Sequence, residues 1–342
     1  MKILLIHRNN IGDLICATPF IEILRIRYPE AIIDALVNSY NHEVLQNNPN
    51  LNYIYIYTKG KHRSKGESLF CVYWNRLRTI FLLRKKSYDY ALILTSDPSG
   101  RALSLANRIA PNKIICLSDT ATVKNNVTTL ETPLNCHAVE TLYPIATALD
   151  VNVTHCNLQI FPDAKLVEHY LATCYQALRG FNGLTIAVHI SSRKKSQRWP
   201  TEMFIELISR LCQSEDAKIL LLWSPGDAQS AGHPGDDAKA RDILNATKHL
   251  NVLPAPTLSL TELFATVSLA DLMICSDGGA MHVAAALKKP IICFFGDSNP
   301  RTWGPWMVPN IVLQKESKEV KDILVDEVLA SFHQLKTTAM LS

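Results

Sequence analysis

Short apolar runs alternate with amphipathic stretches along most of the chain, and this pattern predicts strands that alternate with helices. The runs with the features of strands are 3–7, 31–37, 52–57, 90–94, 113–117, 184–189, 218–223, 272–275 and 291–295. The stretches with helical spacing or composition are 14–27, 166–178, 202–213, 260–268 and 282–287. Strands that alternate with helices indicate parallel sheets, so the predicted fold class is α/β.

A chain of 342 residues is long for one hydrophobic core, and its length predicts two domains. A second series of strands and helices begins after Phe161-Pro162-Asp163, so we place the domains at 1–160 and 161–342. Each series suits a doubly wound, Rossmann-like sheet, and the last helix of the chain has the option of packing back on the first domain. Two such domains that face each other leave a cleft at the carboxyl ends of their strands, where ligands of these folds bind.

Composition narrows the class of protein without identifying its function. Hydrophobic residues make up 47% and charged residues 19% of the chain, as in globular proteins, and the net charge of +4 is too small to argue for nucleic acid. The nine cysteines are scattered without a CxxC pair, which disfavours structural zinc and a disulfide framework. With no signal-peptide pattern and no apolar run of membrane-spanning length, the sequence predicts a soluble cytoplasmic protein.

The stretch from Ser276 to Gly296 carries the strongest chemical signal. An apolar strand runs into the turn Ser276-Asp277-Gly278-Gly279, and an alanine-rich helix that contains His282 follows. Free backbone N–H groups and the dipole at such a helix start favour a phosphate. The alternative for His282 is a core or capping histidine, the commoner role of a lone histidine on an apolar helix.

The loop after the strand 184–189 is a second candidate site. It holds two hydroxyls, Ser191 and Ser192, and four cations, including Lys195 and Arg198. Hydroxyls, backbone N–H groups and cations together can surround the oxygens of a diphosphate. The alternative is a solvated basic loop.

The pair Gly12-Asp13 follows the first predicted strand and opens the next helix. One interpretation makes Asp13 the N-cap of that helix, since aspartate commonly accepts the first N–H groups. The other makes Asp13 a general base at the mouth of the cleft, and both can hold together.

A basic stretch runs from Lys59 to Lys86, with nine cations against Glu67 alone and with aromatic and aliphatic residues interleaved. It is either a solvated face whose apolar residues pack on the sheet, or a surface for an anionic, membrane-bound acceptor. No GxGxxG, GxxxxGK[ST], GxSxG, HExxH or DxD motif occurs, which disfavours dinucleotide binding, P-loop chemistry and a bound divalent metal.

Three segments, in this order, resemble the signatures of glycosyltransferase family 9, which includes the ADP-heptose:lipopolysaccharide heptosyltransferases. They are Gly12-Asp13 with Thr18-Pro19 downstream, Arg198-Trp199-Pro200, and Ser276-Asp277-Gly278-Gly279 with His282. The resemblance implies a GT-B fold with two facing Rossmann-like domains, the acceptor on the first and the nucleotide-sugar on the second. It also implies inverting, metal-independent transfer of a sugar, heptose by family default, to a lipopolysaccharide core or a related surface glycan.

The resemblance also assigns roles to individual residues. Asp13 maps to the proposed general base. The donor-binding residues that we predict are Ser191, Ser192, Lys195, Arg198, Asp277, Gly278, Gly279 and His282. Weaker acceptor-binding candidates are Gly12, Lys61 and Arg63. No metal and no cofactor are expected, the ADP-linked nucleotide-sugar being a substrate, and the anionic glycolipid acceptor implies peripheral contact with the inner membrane.

Two departures from the family pattern leave alternatives open. The family lysine two residues before the tryptophan is Gln197 here, so Lys195 or Arg198 would supply the charge. In the loop 223–237, Asp227 is the nearest counterpart of a family glutamate that contacts the nucleotide. A GT-B-like nucleotide-sugar epimerase and a non-catalytic nucleotide-sugar binding protein remain the alternatives to a transferase.

Overall fold

The computed structural model describes residues 1–58, 69–95, 100–153, 156–227, 229 and 235–339. The chain divides into two compact units, Met1–Phe161 and Pro162–Ser342, and this division falls one residue from the predicted boundary. Each unit is a sheet with helices packed around it, so the predicted α/β class is confirmed.

The first unit contains a seven-stranded sheet in the order β3-β2-β1-β4-β5-β7-β6, in which β6 alone is antiparallel to its neighbour. Its strands are β1 (Lys2–Ile6), β2 (Ile32–Asn38), β3 (Tyr53–Tyr57), β4 (Tyr90–Ile93), β5 (Lys113–Ser118), β6 (Thr122–Lys124) and β7 (Val127–Glu131). Its α-helices are α1 (Ile11–Cys16), α2 (Thr18–Arg27), α3 (Leu69–Lys85), α4 (Arg101–Ile109) and α5 (Tyr143–Thr147).

The second unit contains a six-stranded parallel sheet in the order β10-β9-β8-β11-β12-β13. Its strands are β8 (Leu184–His189), β9 (Ala217–Trp223), β10 (Val252–Pro256), β11 (Leu272–Ser276), β12 (Ile291–Phe295) and β13 (Asn310–Gln314). Its α-helices are α6 (Ala164–Ala172), α7 (Thr201–Ser214), α8 (Asp237–Ala246), α9 (Leu260–Ser268), α10 (Gly279–Ala286), α11 (Pro300–Trp303) and α12 (Val325–Thr338).

In each sheet the strand order reverses beside the first strand of the unit. β1 pairs with β2 on one side and β4 on the other, and β8 pairs with β9 and β11. The crevice outside the carboxyl ends of the strands at such a reversal is where doubly wound sheets bind ligands. The predicted site residues that the structure describes lie in the loops and first helical turns that follow β1, β8 and β11, so the topology places them at these reversals.

The predicted helix 14–27 is wrong as a single element. The structure has two helices there, because α1 ends at its C-cap residue Ala17 and α2 begins with Thr18-Pro19. Proline has no N–H to donate and is tolerated in the first turn of a helix, so Pro19 starts α2 but could not lie inside a continuous helix. The helical region also begins before residue 14, the predicted start, since α1 already begins at Ile11.

The predicted helix 166–178 is wrong at its end. It stops at Ala172, and a separate 3-10 turn covers Gln176–Leu178. Between them Tyr175 is buried and packs edge-on against Tyr170, with ring centroids 5.7 Å apart. Burial of this ring draws the chain away from the helix axis.

The helix α12 completes the hydrophobic core of the second unit. The helix packs against α7, β12 and β13, and Val328, Phe332 and Leu335 are buried in the hydrophobic cluster of this unit. None of the helices in the described ranges is long and apolar enough to cross a membrane.

Candidate functional site

Three loops at the carboxyl edge of the second sheet form the candidate site. They follow β8, β11 and β12, which are three adjacent strands of the sheet. The polar residues of these loops are separated by about 80 to 100 positions in sequence but are joined by side-chain hydrogen bonds.

Gln197 connects all three loops. Its Nε2 donates to Oδ2 of Asp277 at 2.7 Å and to Oγ of Ser298 at 3.0 Å, while its Oε1 accepts a hydrogen bond from Ser192 Oγ at 3.3 Å. The side chain is only 5% exposed, and a buried amide needs such partners because an unsatisfied polar group costs about 1–3 kcal/mol. The residue that the sequence marks as a departure is therefore the centre of the network.

Lys194 is the cation that the structure ties to the network, although sequence reasoning did not single it out. Its Nζ lies 3.1 Å from Oδ1 of Asp297 and 3.4 Å from Oγ of Ser298. The predicted cation Lys195 is exposed in the 3-10 turn Lys195–Gln197. The only sequence signal for Lys194 was its place among the four cations of the loop.

Asp277 is the acidic group of the network. Burial raises the pKa of its carboxyl above the usual value, and the hydrogen bonds from Ser298 and Gln197 and the charge of Lys194 oppose that rise. The pKa of Asp297, which is exposed and paired with Lys194, is lowered mainly by that pairing. The site therefore combines a half-buried carboxyl with a cation that is already in place.

The turn into α10 leaves backbone donors available. Gly278 is the N-cap residue, and no side chain caps the helix. The Met281 N–H donates to the Gly278 carbonyl at 3.2 Å, so the N–H groups of Gly279 and Ala280 are the ones that point beyond the helix end, as an anion site requires. His282 in the same turn is 3% exposed and lies edge-on to the Trp303 ring at 6.3 Å. Its burial fits the packing interpretation, and its contact with a donor stays a prediction.

Gly296 permits the close approach of two site loops. A Cβ at this position would lie 2.7 Å from the carbonyl oxygen of Ser196 and 3.2 Å from Cγ of Gln197. The side chain of Gln314 holds the same loop from β13, donating to the carbonyls of Gly296 and Ser298 at 2.8 and 2.9 Å.

We expect Gly296→Ala to lower the free energy of unfolding by about 1–3 kcal/mol, because backbone atoms cannot move aside as a flexible side chain can. Gly278→Ala is the matched control. At Gly278 the backbone is extended, and a Cβ would meet no described heavy atom within 4 Å. Denaturant unfolding of both variants checks this, and equal stabilities would contradict the close approach.

The end of β8 holds the predicted hydroxyls and a second lysine. Ser191 Oγ accepts from the backbone N–H of Ser224 at 2.9 Å, and the Arg198 Nε donates to the Ser192 carbonyl at 3.0 Å. Lys239, on α8, donates to the carbonyls of Ile190 and Trp199 at 3.3 and 2.7 Å. The lysine therefore ties together the two ends of the loop.

Two titratable groups at this strand end are shifted toward their neutral forms. Burial, with a smaller contribution from the charge of Lys239, lowers the pKa of His189 to about 4. Burial also lowers the pKa of Lys239 to about 8, and the charge of Arg198 adds to that shift. His189 is neutral at pH 7, so it adds no charge to the site.

Asp13 lies in the first unit, in the first turn of α1. The N-cap is Asn10, with no side-chain hydrogen bond to the helix, so the interpretation of Asp13 as the N-cap is wrong. Burial raises the pKa of the Asp13 carboxyl, and hydrogen bonds with Asn9 and Asn10 partly oppose this. A half-buried carboxyl with a raised pKa suits a general base. Gly12, beside it, is also half-buried.

Part of the prediction falls outside the described residues. Lys61 and Arg63 lie outside the described residues, as does most of the loop between Asp227 and Gly235. Asp227 itself is exposed, and its carbonyl accepts from the Gly235 N–H at 2.9 Å. Among the residues that the structure describes, no group of three or more His, Cys, Asp or Glu side chains is arranged to hold a metal ion.

Comparison with known proteins gives consistent matches. The family model described as "Glycosyltransferase family 9 (heptosyltransferase)" matches residues 76–327. Lipopolysaccharide heptosyltransferase 3 of Escherichia coli strain K12 is 26% identical over 306 residues, which cover 86% of this chain and 82% of that protein.

Two solved structures share the fold. The glycosyl transferase family 9 structure from Veillonella parvula has a TM-score of 0.80 at 20% identity and covers 98% of this chain and 97% of its own. ADP-heptose lps heptosyltransferase II of E. coli has a TM-score of 0.77 at 21% identity, over 99% of this chain and 100% of its own. The predicted two-domain GT-B fold is therefore confirmed.

Proposed function

Because the chain belongs to glycosyltransferase family 9, we propose that it transfers heptose from ADP-heptose to a lipopolysaccharide core acceptor, with inversion and without a metal ion. The carrying observation is the network in which Gln197 joins Ser192, Asp277 and Ser298 at the carboxyl edge of the second sheet. Donor and acceptor are those in the names of the heptosyltransferases that the chain resembles.

The second unit binds the donor in this proposal. The open helix start at Gly278-Gly279 and the hydroxyls of Ser191 and Ser192 surround the diphosphate. Asp277 accepts hydrogen bonds from hydroxyl groups of the sugar or the ribose. These groups are positioned before the donor arrives, since their loops are already joined by hydrogen bonds. Preorganised donors stabilise charge as it develops without reorganisation during the reaction.

Asp13 of the first unit acts as the general base. It takes the proton of an acceptor hydroxyl while that oxygen attacks the anomeric carbon, and the bond from the anomeric carbon to the diphosphate breaks in the same step. The electron pair leaves with ADP. A single displacement of this kind inverts the anomeric configuration.

Positively charged side chains stabilise the negative charge on the departing ADP. Lys194 lies beside Asp297 and Ser298, and Arg198 lies beside Ser192. Lys194 is paired with the exposed carboxylate of Asp297 and can exchange that partner for a phosphate oxygen, because surface ion pairs contribute only about 0–1 kcal/mol. Two cations and a helix start can then stabilise the leaving group in place of a metal ion.

We expect ADP to raise the melting temperature by about 5 °C at a concentration of about 100 times its Kd, because a ligand of the native state stabilises it by mass action. UDP, GDP and CDP at the same concentration should give smaller shifts. Incubation with ADP-heptose and a heptose-deficient lipopolysaccharide acceptor should then yield product whose rate of formation is unchanged by EDTA. NMR of the new glycosidic bond reads the anomeric configuration.

Each result has an opposite that contradicts one part of the proposal. A larger shift with UDP than with ADP would contradict the donor, and retention of configuration would contradict single displacement. Loss of activity in EDTA, restored by a divalent ion, would contradict metal independence. An epimerised nucleotide-sugar formed without acceptor would favour an epimerase, and binding with no product would favour a binding protein.

A further inference from the structure

The helix α3 turns a row of large apolar side chains away from the core. Its buried side is formed by Ile80 and Leu83, which join the hydrophobic cluster of the first unit. Five other large side chains are 58–74% exposed: Phe70, Tyr73, Trp74, Leu77 and Phe81. They recur at spacings of three and four residues, so they lie on one face of the helix.

This row is flanked by cations, and the helix that carries it contains no acid. Arg78, Arg84 and Lys85 are exposed, and the helical sequence from Leu69 to Lys85 contains no aspartate or glutamate. The Nζ of Lys85 lies 4.6 Å from the centre of the Phe81 ring, so a cation and an aromatic ring of the exposed face are in contact. The alternative that the apolar residues of the basic stretch all pack on the sheet is therefore wrong, since Ile80 and Leu83 do so and Phe70, Trp74 and Phe81 do not.

We propose that this face of α3 docks on a lipid bilayer whose headgroups are anionic. Aromatic and leucine side chains beside arginine and lysine are the composition of helices that lie in the membrane interface. The apolar side chains enter the boundary between headgroups and acyl chains, and the cations stay at the level of the phosphates. With 17 residues, or about 25 Å, the helix lies along the surface rather than across it.

Charge complementarity favours a bilayer over a second copy of the chain. A twofold interface through α3 would bring the same face of both copies together. Arg78, Arg84 and Lys85 of one copy would then oppose cations of the other, with no acid on either helix to compensate. A soluble glycan offers anionic groups but no apolar phase for Trp74 and Phe81.

This inference rests on the proposed function and extends it, because an enzyme that acts on a lipid-linked acceptor works at a membrane surface. α3 belongs to the same unit as Asp13, the proposed base. Its docking would bring that unit to the surface from which the acceptor projects.

Flotation of the full chain with vesicles tests the proposal. The wild type should bind vesicles of phosphatidylcholine with phosphatidylglycerol, and should bind those of phosphatidylcholine alone more weakly. The triple variant Trp74→Ser, Leu77→Ser, Phe81→Ser should bind on the order of 100-fold more weakly, because it lacks three apolar side chains that the bilayer would bury. Arg78→Glu with Lys85→Glu should abolish the preference for anionic vesicles.

The matched control is Leu134→Ser with Leu258→Ser, since both leucines are more than 80% exposed and lie on other parts of the chain. This variant should float as the wild type does. A further reading comes from tryptophan fluorescence, which should shift to shorter wavelength with anionic vesicles in the wild type. Trp74→Phe should keep most of the binding and lose most of that shift.

Three results would overturn the inference: no flotation of the wild type with anionic vesicles, equal flotation of the triple variant, or self-association that depends on α3 without any vesicle binding. Flotation measures no product, so it can succeed while heptose transfer fails, in which case only the proposed function is lost. If the chain does not float but still transfers heptose to a de-acylated, water-soluble acceptor, only the proposed docking surface is contradicted.

Discussion

Asp13→Asn is expected to lower kcat for heptose transfer by a factor on the order of 10²–10³, with the Kd for ADP unchanged. Asparagine keeps the size of the side chain and one oxygen that can accept from Asn9 or Asn10, but it cannot take up the proton of the acceptor. Donor binding belongs to the second unit in the proposal, so it should not respond. Steady-state transfer kinetics and titration with ADP measure the two quantities separately.

The stability of Asp13→Asn distinguishes lost chemistry from lost structure. Burial raises the pKa of the Asp13 carboxyl in the folded state, so the folded protein holds this proton more tightly than the unfolded chain does. The contribution of this carboxyl to stability is therefore greatest in acid and is lost as the pH rises through the unfolded and then the folded pKa. Asparagine carries no charge at any pH, so the variant should be at least as stable as the wild type at pH 7.

The pH dependence of kcat tests independently whether Asp13 is the general base. Wild-type kcat should fall on the acid side as Asp13 becomes protonated, at a pH above the usual range of an aspartate because its pKa is raised. The residual activity of Asp13→Asn should lack that acid limb. Asp119→Asn, a change at an exposed carboxylate of the same unit, is the control. Normal turnover of Asp13→Asn would show that another group is the base.

The buried strands were predictable because parallel strands covered on both faces consist of uninterrupted apolar residues. The predicted strand 291–295 coincides with β12, and the predicted helix 260–268 coincides with α9. The edge strand β10 was missed, because Pro254 and Pro256 break the apolar pattern. Proline is admitted at an edge, where one side of the strand has no partner to which it must donate, and this depends on the sheet order.

The candidate site was predictable in its loops but not in its connections. Motif chemistry pointed to Ser192 and Asp277, since hydroxyls and an acid after parallel strands suit a nucleotide-sugar. Gln197 appeared only as a missing lysine, because its partners lie 80 and 101 positions away in the sequence. A glutamine among cations gives no periodic or motif signal, and its role exists only once the three loops are assembled.

Gln197→Leu is expected to weaken binding of the donor on the order of 100-fold. The change removes two donated hydrogen bonds and one accepted hydrogen bond, and it leaves the carboxylate of Asp277 with less compensation for its burial. A 100-fold change corresponds to about 2.7 kcal/mol, which the binding of the donor would have to supply in order to arrange loops that Gln197 no longer holds together. Calorimetric titration with ADP measures it, and an unchanged Kd would show that the network is not needed to position the site.

Gln197→Glu makes the same position sensitive to pH. A second carboxyl would stand at hydrogen-bond distance from Asp277, where Gln197 Nε2 now lies 2.7 Å from its oxygen, and two such groups cannot both ionise without strong repulsion. At low pH the pair shares a proton and keeps the contact, so ADP should bind nearly as it does to the wild type. Binding and stability should both fall as the pH rises through the raised pKa of the pair.

The fall of ADP binding with rising pH distinguishes a positioning role from general damage. A merely destabilising change would weaken binding at every pH, as we expect for Gln197→Leu. Gln213→Glu adds the same charge at an exposed site on α7 and should leave the pH profile of the wild type intact. If Gln197→Glu instead binds ADP equally from acid to neutral pH, the contact with Asp277 does not organise the donor loops. The glutamine would then only fill space between β8 and β12.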